Sequence, residues 1–288
     1  MPELPEVEHV KRGIEPFAVN TTINKITFSE NVKKGKEDGR ETIIKGMTLE
    51  SFRRLTEGYT INQIERRSKY IVFYINRDAE QRILISHLGM AGGFFVVNHL
   101  EEINVPNYRK HWQVIFELDN GKKLIYSDIR RFGEIRNVSS FDSYPSFLSI
   151  APEPFDEEAL QHFLDCTNKK NYSKKPIKQV ILDHKVISGC GNIYACEALF
   201  RAGILPNRLT QELSNQEKEM VFYHVRSVLN EGIKYGGTSI SDYRHADGKT
   251  GEMQLHLNVY KQKYCKVCGH SIETQAVSYT HLTLPTNR

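Results

Sequence analysis

The chain opens Met1-Pro2-Glu3-Leu4-Pro5-Glu6. A small residue after an initiator methionine normally lets that methionine be removed, which leaves Pro2 as a terminal secondary amine. An α-amino group titrates near 8 and a lysine near 10.4, so at neutral pH the uncharged fraction of the former is larger by roughly a hundredfold. The positive end of a helix starting at Pro5 lowers that titration further. An uncharged amine can attack a carbonyl carbon or a sugar C1′ and form a Schiff base. Glu3 beside it, and Glu6 one helical turn on, can carry protons. The plainer reading of the same residues is that Pro2 resists proteolysis and the glutamates cap a helix, and composition alone favours it. A second candidate is Cys265-Lys266-Val267-Cys268, followed by Gly269. This is the shape of a knuckle that turns two thiolates toward one zinc ion, but a tetrahedral site needs two more ligands and no cysteine follows. The cysteines number five at irregular spacing, which argues against a disulfide framework. Cys190 and Cys196 read as small buried residues.

These groups must be held by something. Short β-branched and aromatic runs at 22–28, 60–64, 70–75, 82–87, 93–97, 112–118, 123–126 and 133–138 predict eight strands, several separated by turn sequence such as Asp119-Asn120-Gly121. Eight short strands point to a sandwich or barrel. Leu4, Val7, Val10 and Ile14 repeat at helical spacing after Pro5, and 48–55 predicts a second helix. From 156 the period becomes helical, with helices expected at 156–166, 177–183, 192–202 and 214–235, the last opened by the capping box Ser214-x-x-Glu217. The proline-rich stretch 143–154 reads as a linker, and 255–260 alternates like a strand leading into the cysteine pair.

The length of 288 residues suits two domains with a small appendage. Hydrophobic residues at 39% and charged residues at 26% describe an ordinary globular chain. No apolar run approaches the roughly 18 residues of a membrane span. The acidic-then-basic start lacks the apolar core of a secretory signal, which predicts a cytoplasmic protein. A net charge of +4 permits a nucleic-acid partner.

The start MPELPEVE resembles the formamidopyrimidine-DNA glycosylase family. So do HLGMAG at 87–92, SDIRRFGE at 127–134, GCGNIYACEALF at 189–200, AGILPNR at 202–208, GGTSISDY at 236–243 and LNVY at 257–260, in the family's order and to about Gln275. The resemblance implies an α+β multidomain protein. Residues 1–140 would form an N-terminal catalytic β-sandwich with flanking helices, 141–155 a linker, 156–243 a helix-two-turns-helix DNA-binding domain, and 244–275 a truncated zinc-finger hairpin. It implies a monomer that removes oxidised purines, such as 8-oxoguanine and formamidopyrimidines, from duplex DNA and cuts the strand by β,δ-elimination. Pro2 would be the nucleophile, Glu3 the proton donor and acceptor, and Lys69 the catalytic lysine beside the lesion phosphate. His87, Lys178 and Asn192 would contact DNA, Asn192 through a backbone phosphate. Out of context Lys69 is a solvated strand-end cation, His87 a structural histidine and Asn192 a helix cap. Excision requires the nucleotide to be flipped out and the hole filled. Met90, Arg130 and Phe132 match the family's intercalating trio, although Met90 and Phe132 by type alone are core residues.

The chain departs from the family at its end. One zinc ion held by four cysteines is the family's pattern, and only the half-site Cys265 and Cys268 is present; His270 and His281 could in principle complete a site of two cysteines and two histidines, although their spacing fits no usual finger. From Ala276 the sequence AVSYTHLTLPTNR resembles one translated frame of a sequencing adapter, so 276–288 is expected to be a non-native tail. Three other readings stand beside the first: an endonuclease VIII-like enzyme for oxidised pyrimidines, a catalytically impaired DNA-binding paralogue, and a zinc-ribbon interaction protein.

Overall fold

Leu4, Val7, Val10, Ile14 and Ala18 fall on one stripe of a helix, α1 (Leu4–Ala18), and all five are buried. Such a stripe is what a 3.6-residue apolar period produces against a hydrophobic surface. The computed structural model describes residues 1–239, 250–277 and 280–285, with side chains as far as residue 274. The chain divides into two units. One comprises Met1–Leu148 and Gly236–Gly251, the other Ser149–Tyr235 and Glu252–Arg288.

In the first unit α1 is followed by β1 (Thr21–Phe28), α2 (Glu30–Glu37), β2 (Ile44–Lys45), α3 (Leu49–Arg54), β3 (Thr60–Arg67), β4 (Tyr70–Arg77), β5 (Glu80–His87), β6 (Gly92–Val97), α4 (Pro106–Lys110), β7 (Trp112–Leu118), β8 (Lys123–Asp128), β9 (Glu134–Val138) and α5 (Pro145–Leu148). The strands run in the order β2-β9-β5-β4-β3-β1-β7-β8-β6. β1 serves two sheets: Thr21 and Thr22 pair with β3, and Ile23 to Phe28 pair with β7 after an irregularity between Ile23 and Lys25. Such a bulge bends a strand and lets it cross from one sheet to the other. The inner faces meet in one core that holds Ile23, Ile61, Phe73, Leu84, Phe94, Phe116, Leu124 and Ile135. Phe73 of β4 meets Phe94 of β6 edge-on at 5.6 Å across it. The sandwich with flanking helices is the fold the alternation predicts, and all eight expected strands are present. β2 and α2 were not foreseen. The segment ENVKKGKE of α2 has no apolar period; its start is fixed by Ser29 Oγ, which accepts the Val32 N–H at 3.3 Å.

The second unit contains α6 (Ala159–Asn168), α7 (Lys170–Ser173), α8 (Ile177–Ile181), α9 (Asn192–Arg201), α10 (Asn215–Lys234), α11 (Met253–His256) and the antiparallel hairpin β10 (Ile272–Val277) and β11 (Thr280–Pro285). α10 packs on α9 and α6, with Phe163 stacked on Phe222 at 5.5 Å. Its start is the capping box read from sequence: Ser214 Oγ accepts the Glu217 N–H at 3.2 Å and the Glu217 carboxylate accepts the Ser214 N–H at 2.7 Å. Among the described residues no helix is long and apolar enough to cross a membrane.

Three segments differ from the sequence reading. The strand expected at 255–260 is absent: α11 occupies its first two residues, and the backbone N–H groups of Asn258, Val259 and Tyr260 all donate to the buried Glu197 carboxylate, which leaves none of the three for a ladder. The stretch read as linker holds α5, where Phe147 stacks on Phe141 at 5.0 Å, and the division between units falls after Leu148. The segment 236–251 belongs with the first unit rather than continuing the helical one. Of the expected tail, 276–277 and 280–285 lie in the hairpin, while 278–279, 286–288 and the stretch 240–249 lie outside the described residues.

Candidate active site

The start of α1 builds the first constellation. Pro2 and Glu3 are buried, and Glu3 caps the helix in extended conformation. Glu6, 1% exposed, uses both carboxylate oxygens: Oε2 accepts the Glu3 N–H at 2.8 Å and Oε1 accepts the Thr238 N–H at 2.6 Å. Gly237 makes this approach possible. Its φ is +77°, and a Cβ there would come within 2.9 Å of Glu6 Oε1. The chain's amine, here on Met1, has its pKa lowered by burial, with Lys69 and Arg130 adding to the effect and Glu3 and Glu6 opposing it. Removal of the exposed Met1 would move the amine one residue inward, onto the buried Pro2.

Lys69 sits in the turn between β3 and β4, where Ser68 has φ +58°. That turn is tied to α1 by Arg66, whose Nε donates to Glu8 Oε2 at 3.0 Å while its guanidinium also reaches the Ser68 carbonyl at 3.1 Å. Burial alone would push the Glu8 carboxyl up, but Arg12 and Arg66 hold it below its ordinary range. At the end of β5, His87 Nδ1 accepts the Gly89 N–H at 3.0 Å and the ring lies on Tyr70 at 4.9 Å. Burial, then the charge of Lys69, pushes the His87 pKa down to about 4, against the pull of Glu134. At pH 7 the imidazole is therefore neutral, and with Nδ1 occupied as an acceptor its proton lies on Nε2.

Met90 is 40% exposed and Phe132 62% exposed, and Arg130 is exposed with its guanidinium 5.2 Å from the Phe132 ring. Glycine explains how apolar residues that belong by type in a core are presented outward. Gly89 has φ +61°, and a Cβ on it would meet Gly133 N at 2.4 Å; the turns carrying Met90 and Phe132 are packed backbone to backbone. The fully buried Asp128 folds the second turn, accepting the N–H of Arg130 at 3.0 Å and of Gly133 at 2.8 Å. Burial raises its carboxyl pKa, and the backbone N–H groups of Gly133, Arg131 and Arg130 pull it back. Asp128 has no motif signal of its own beyond its place in SDIRRFGE.

A separate constellation lies in the second unit. Lys178 is 2% exposed and its Nζ is 3.2 Å from Cys196 Sγ, which is in turn 4.0 Å from Asn192 Oδ1. Asn192 opens α9 after Gly191. Lys178 and Asn192, read apart in the sequence, thus meet at Cys196, and Glu197 beside it holds the 258–260 backbone. Farther along, Cys265 is buried and Cys268 exposed. The backbone N–H of Cys268 lowers the Cys265 thiol pKa despite burial. Among the described residues no group of three or more His, Cys, Asp or Glu can hold a metal ion. The two thiolates do not fit a tetrahedral zinc by themselves, and the His281 side chain lies outside the described residues.

Comparison with known proteins bears on the family and the fold. Residues 1–135 match the model of the formamidopyrimidine-DNA glycosylase N-terminal domain and residues 150–244 that of its H2TH domain. The formamidopyrimidine-DNA glycosylase of Streptococcus agalactiae is 36% identical over 273 residues, 93% of this chain and 92% of the relative. The crystal structure of MutM (Fpg) from Thermus thermophilus superposes with a TM-score of 0.81 at 30% identity, covering 99% of this chain and 97% of that one. The Lactococcus lactis Fpg in complex with DNA containing an abasic site superposes with a TM-score of 0.80 at 31% identity, covering 98% and 97%.

Proposed function

The chain belongs to the formamidopyrimidine-DNA glycosylase family, DNA glycosylase/AP lyases of base excision repair, and on that premise we propose that it excises oxidised purines from duplex DNA and cleaves the strand. With Met1 removed, the Pro2 nitrogen attacks C1′ of the damaged nucleotide, the C1′–N bond to the base breaks, and the base leaves with a proton. Glu3 protonates the ring oxygen as the sugar opens, leaving an iminium at C1′. The iminium acidifies the C2′ proton. Its removal expels the 3′ phosphate, and a second elimination expels the 5′ phosphate. The observation that carries this reading is the buried amine of lowered pKa beside the Glu3 and Glu6 carboxylates and the Lys69 cation. Burial lowers the pKa of the terminal amine, and Lys69 adds a nearby cation to meet the phosphate that departs.

The remaining residues take supporting roles. The neutral His87 offers an Nε2–H to a phosphate oxygen. Asn192, at the start of α9, and Lys178 of α8 hold a second phosphate. Met90, Arg130 and Phe132 fill the gap left by the flipped nucleotide, Arg130 facing the orphaned base. The enzyme acts as a monomer on damaged duplex, and no step runs through a metal.

Borohydride trapping on an 8-oxoguanine:C duplex tests the reading, with untagged protein whose N-terminus is confirmed as Pro2. A covalent adduct is expected from this chain and none from Pro2→Gln, whose larger second residue retains the methionine. No adduct with 8-oxoguanine but a strong one with thymine glycol would assign the pyrimidine specificity instead; none with either would refute the mechanism.

A further inference from the structure

Tyr70, His87 and Glu134 stand opposite one another in register, on β4, β5 and β9. Residues directly opposite in an antiparallel ladder project to the same face, with Cβ atoms roughly 5 Å apart. Glu134 is therefore a close neighbour of the imidazole, and a carboxylate in that place often accepts a ring proton and so fixes the tautomer. Here it does not. Among the described residues the only hydrogen bond to the His87 ring is the one from the Gly89 N–H to Nδ1 at 3.0 Å. Both Glu134 oxygens are engaged elsewhere: Oε1 accepts the Tyr144 O–H at 2.5 Å and Oε2 accepts from Arg136 Nη2 at 3.2 Å. The Arg136 guanidinium also lies 4.5 Å from the Tyr144 ring, which closes the three into one group. Burial, and then the Glu134 contact, push the Tyr144 pKa up, so the phenol keeps the proton it donates. Tyr144 meets Tyr70 edge-on at 6.3 Å, and Tyr70 in turn lies on the His87 ring. The stretch that the sequence presents as linker thus carries a group that reaches the site.

We propose that Tyr144 is a positioning residue for His87. It acts through Glu134: with Arg136 it holds the carboxylate off the imidazole, so that the ring stays on Gly89 and presents its Nε2–H outward. The benefit to catalysis rests on the phosphate contact proposed for His87. The charged groups that act on the ring are Lys69 in the turn between β3 and β4, the chain's amine before α1, and Glu134 on β9. The first two oppose a second proton on the imidazole and only Glu134 favours one. What restrains Glu134 therefore decides the state of the ring. Tyr70, from β4, stays uncharged, its hydroxyl pKa raised by burial.

Tyr144→Phe keeps the ring contacts and removes only the hydroxyl. The test follows the His87 imidazole by nitrogen NMR titration of the full chain without DNA. It also measures affinity at pH 7 for a duplex carrying a tetrahydrofuran abasic analogue opposite C. In Tyr144→Phe the His87 midpoint should rise from about 4 by about 1, the equivalent of one hydrogen bond lost from Glu134. The duplex should bind roughly fivefold more weakly, as the freed carboxylate draws the ring proton away from the phosphate. Tyr144→Phe/Glu134→Gln removes the charge that Tyr144 restrains; it should return the midpoint to the wild-type value or below and recover most of the affinity. Phe147→Leu changes the packing on Tyr70 and leaves the Tyr144 hydroxyl in place, so its midpoint should not move. An unmoved midpoint in Tyr144→Phe overturns the proposal, as does an equal rise in Phe147→Leu or a rise that Glu134→Gln does not reverse. A midpoint that rises and reverses at constant duplex affinity upholds the positioning and removes His87 from the phosphate, so the two failures are told apart.

Discussion

Replacing Gly89 with alanine tests whether close packing of two turns is what presents the wedge. The added methyl group would stand 2.4 Å from Gly133 N, 2.6 Å from the Phe132 carbonyl carbon and 2.9 Å from Gly133 Cα. All three are backbone atoms, so no side chain can swing away. Two costs add. A non-glycine residue at φ +61° costs about 1–2 kcal/mol, and forcing a methyl group into a filled space costs about 1–3 kcal/mol. The sum, about 2–5 kcal/mol, is paid either in stability or by the two turns moving apart. Gly121→Ala separates the terms, because Gly121 has φ +80° with nothing within 4 Å of its Cβ position and so carries the conformational cost alone. Urea denaturation and single-turnover excision from an 8-oxoguanine:C duplex are measured on both variants. Gly89→Ala should lose at least 1 kcal/mol more than Gly121→Ala, or excise at least tenfold more slowly, the equivalent of about 1.4 kcal/mol. If Gly89→Ala matches Gly121→Ala in both, the packing account of the wedge is refuted.

A histidine held at about 4 in the folded chain and near 6.5 unfolded makes the unfolded state bind more protons between those values. Stability therefore rises with pH through that window, and His87 takes away roughly 3 kcal/mol as pH falls across it; in His87→Gln the acid limb of a urea-midpoint profile should flatten, and an unchanged limb would contradict the assignment. Glu197→Gln turns an amide nitrogen toward backbone donors of 258–260 and should cost about 2–4 kcal/mol, with faster hydrogen exchange at those amides; a loss under 0.5 kcal/mol would show that the carboxylate is replaceable. Because no group of three or more His, Cys, Asp or Glu among the described residues can hold a metal ion, zinc analysis should find well under one ion per chain, and a strong chelator should leave the thermal midpoint unmoved. A stoichiometric ion whose removal lowers the midpoint would show that ligands beyond Cys265 and Cys268 complete a site.

The strands and the α1 stripe were legible because apolar periodicity is local: Leu4, Val7, Val10 and Ile14 announce their own burial. The candidate roles of Lys69, Met90, Arg130 and Phe132 rest on resemblance alone, since a lysine in a turn, or a methionine and a phenylalanine after strands, carry no chemical signature. Met90 and Phe132 would be placed in the core by type, and it is the neighbouring Gly89 and Gly133 that turn them outward. The carboxylates that build the site were the least legible. Glu6 and Thr238 are 232 positions apart, and Glu197 and the 258–260 backbone about sixty, so no spacing rule links them. An acceptor for backbone N–H groups looks, in sequence, like any other glutamate. The false strand at 255–260 is the same failure seen from the other partner.

The bond from Thr238 to Glu6 also bears on biosynthesis. The first unit is interrupted: residues 149–235 are made between Leu148 and the segment that returns to α1. At typical elongation rates the helical unit takes on the order of ten seconds to synthesise. During that interval the sandwich can form on the ribosome while one Glu6 oxygen still faces water. The Glu6 environment of the terminal amine is therefore completed only late in translation, after the helical unit has been made.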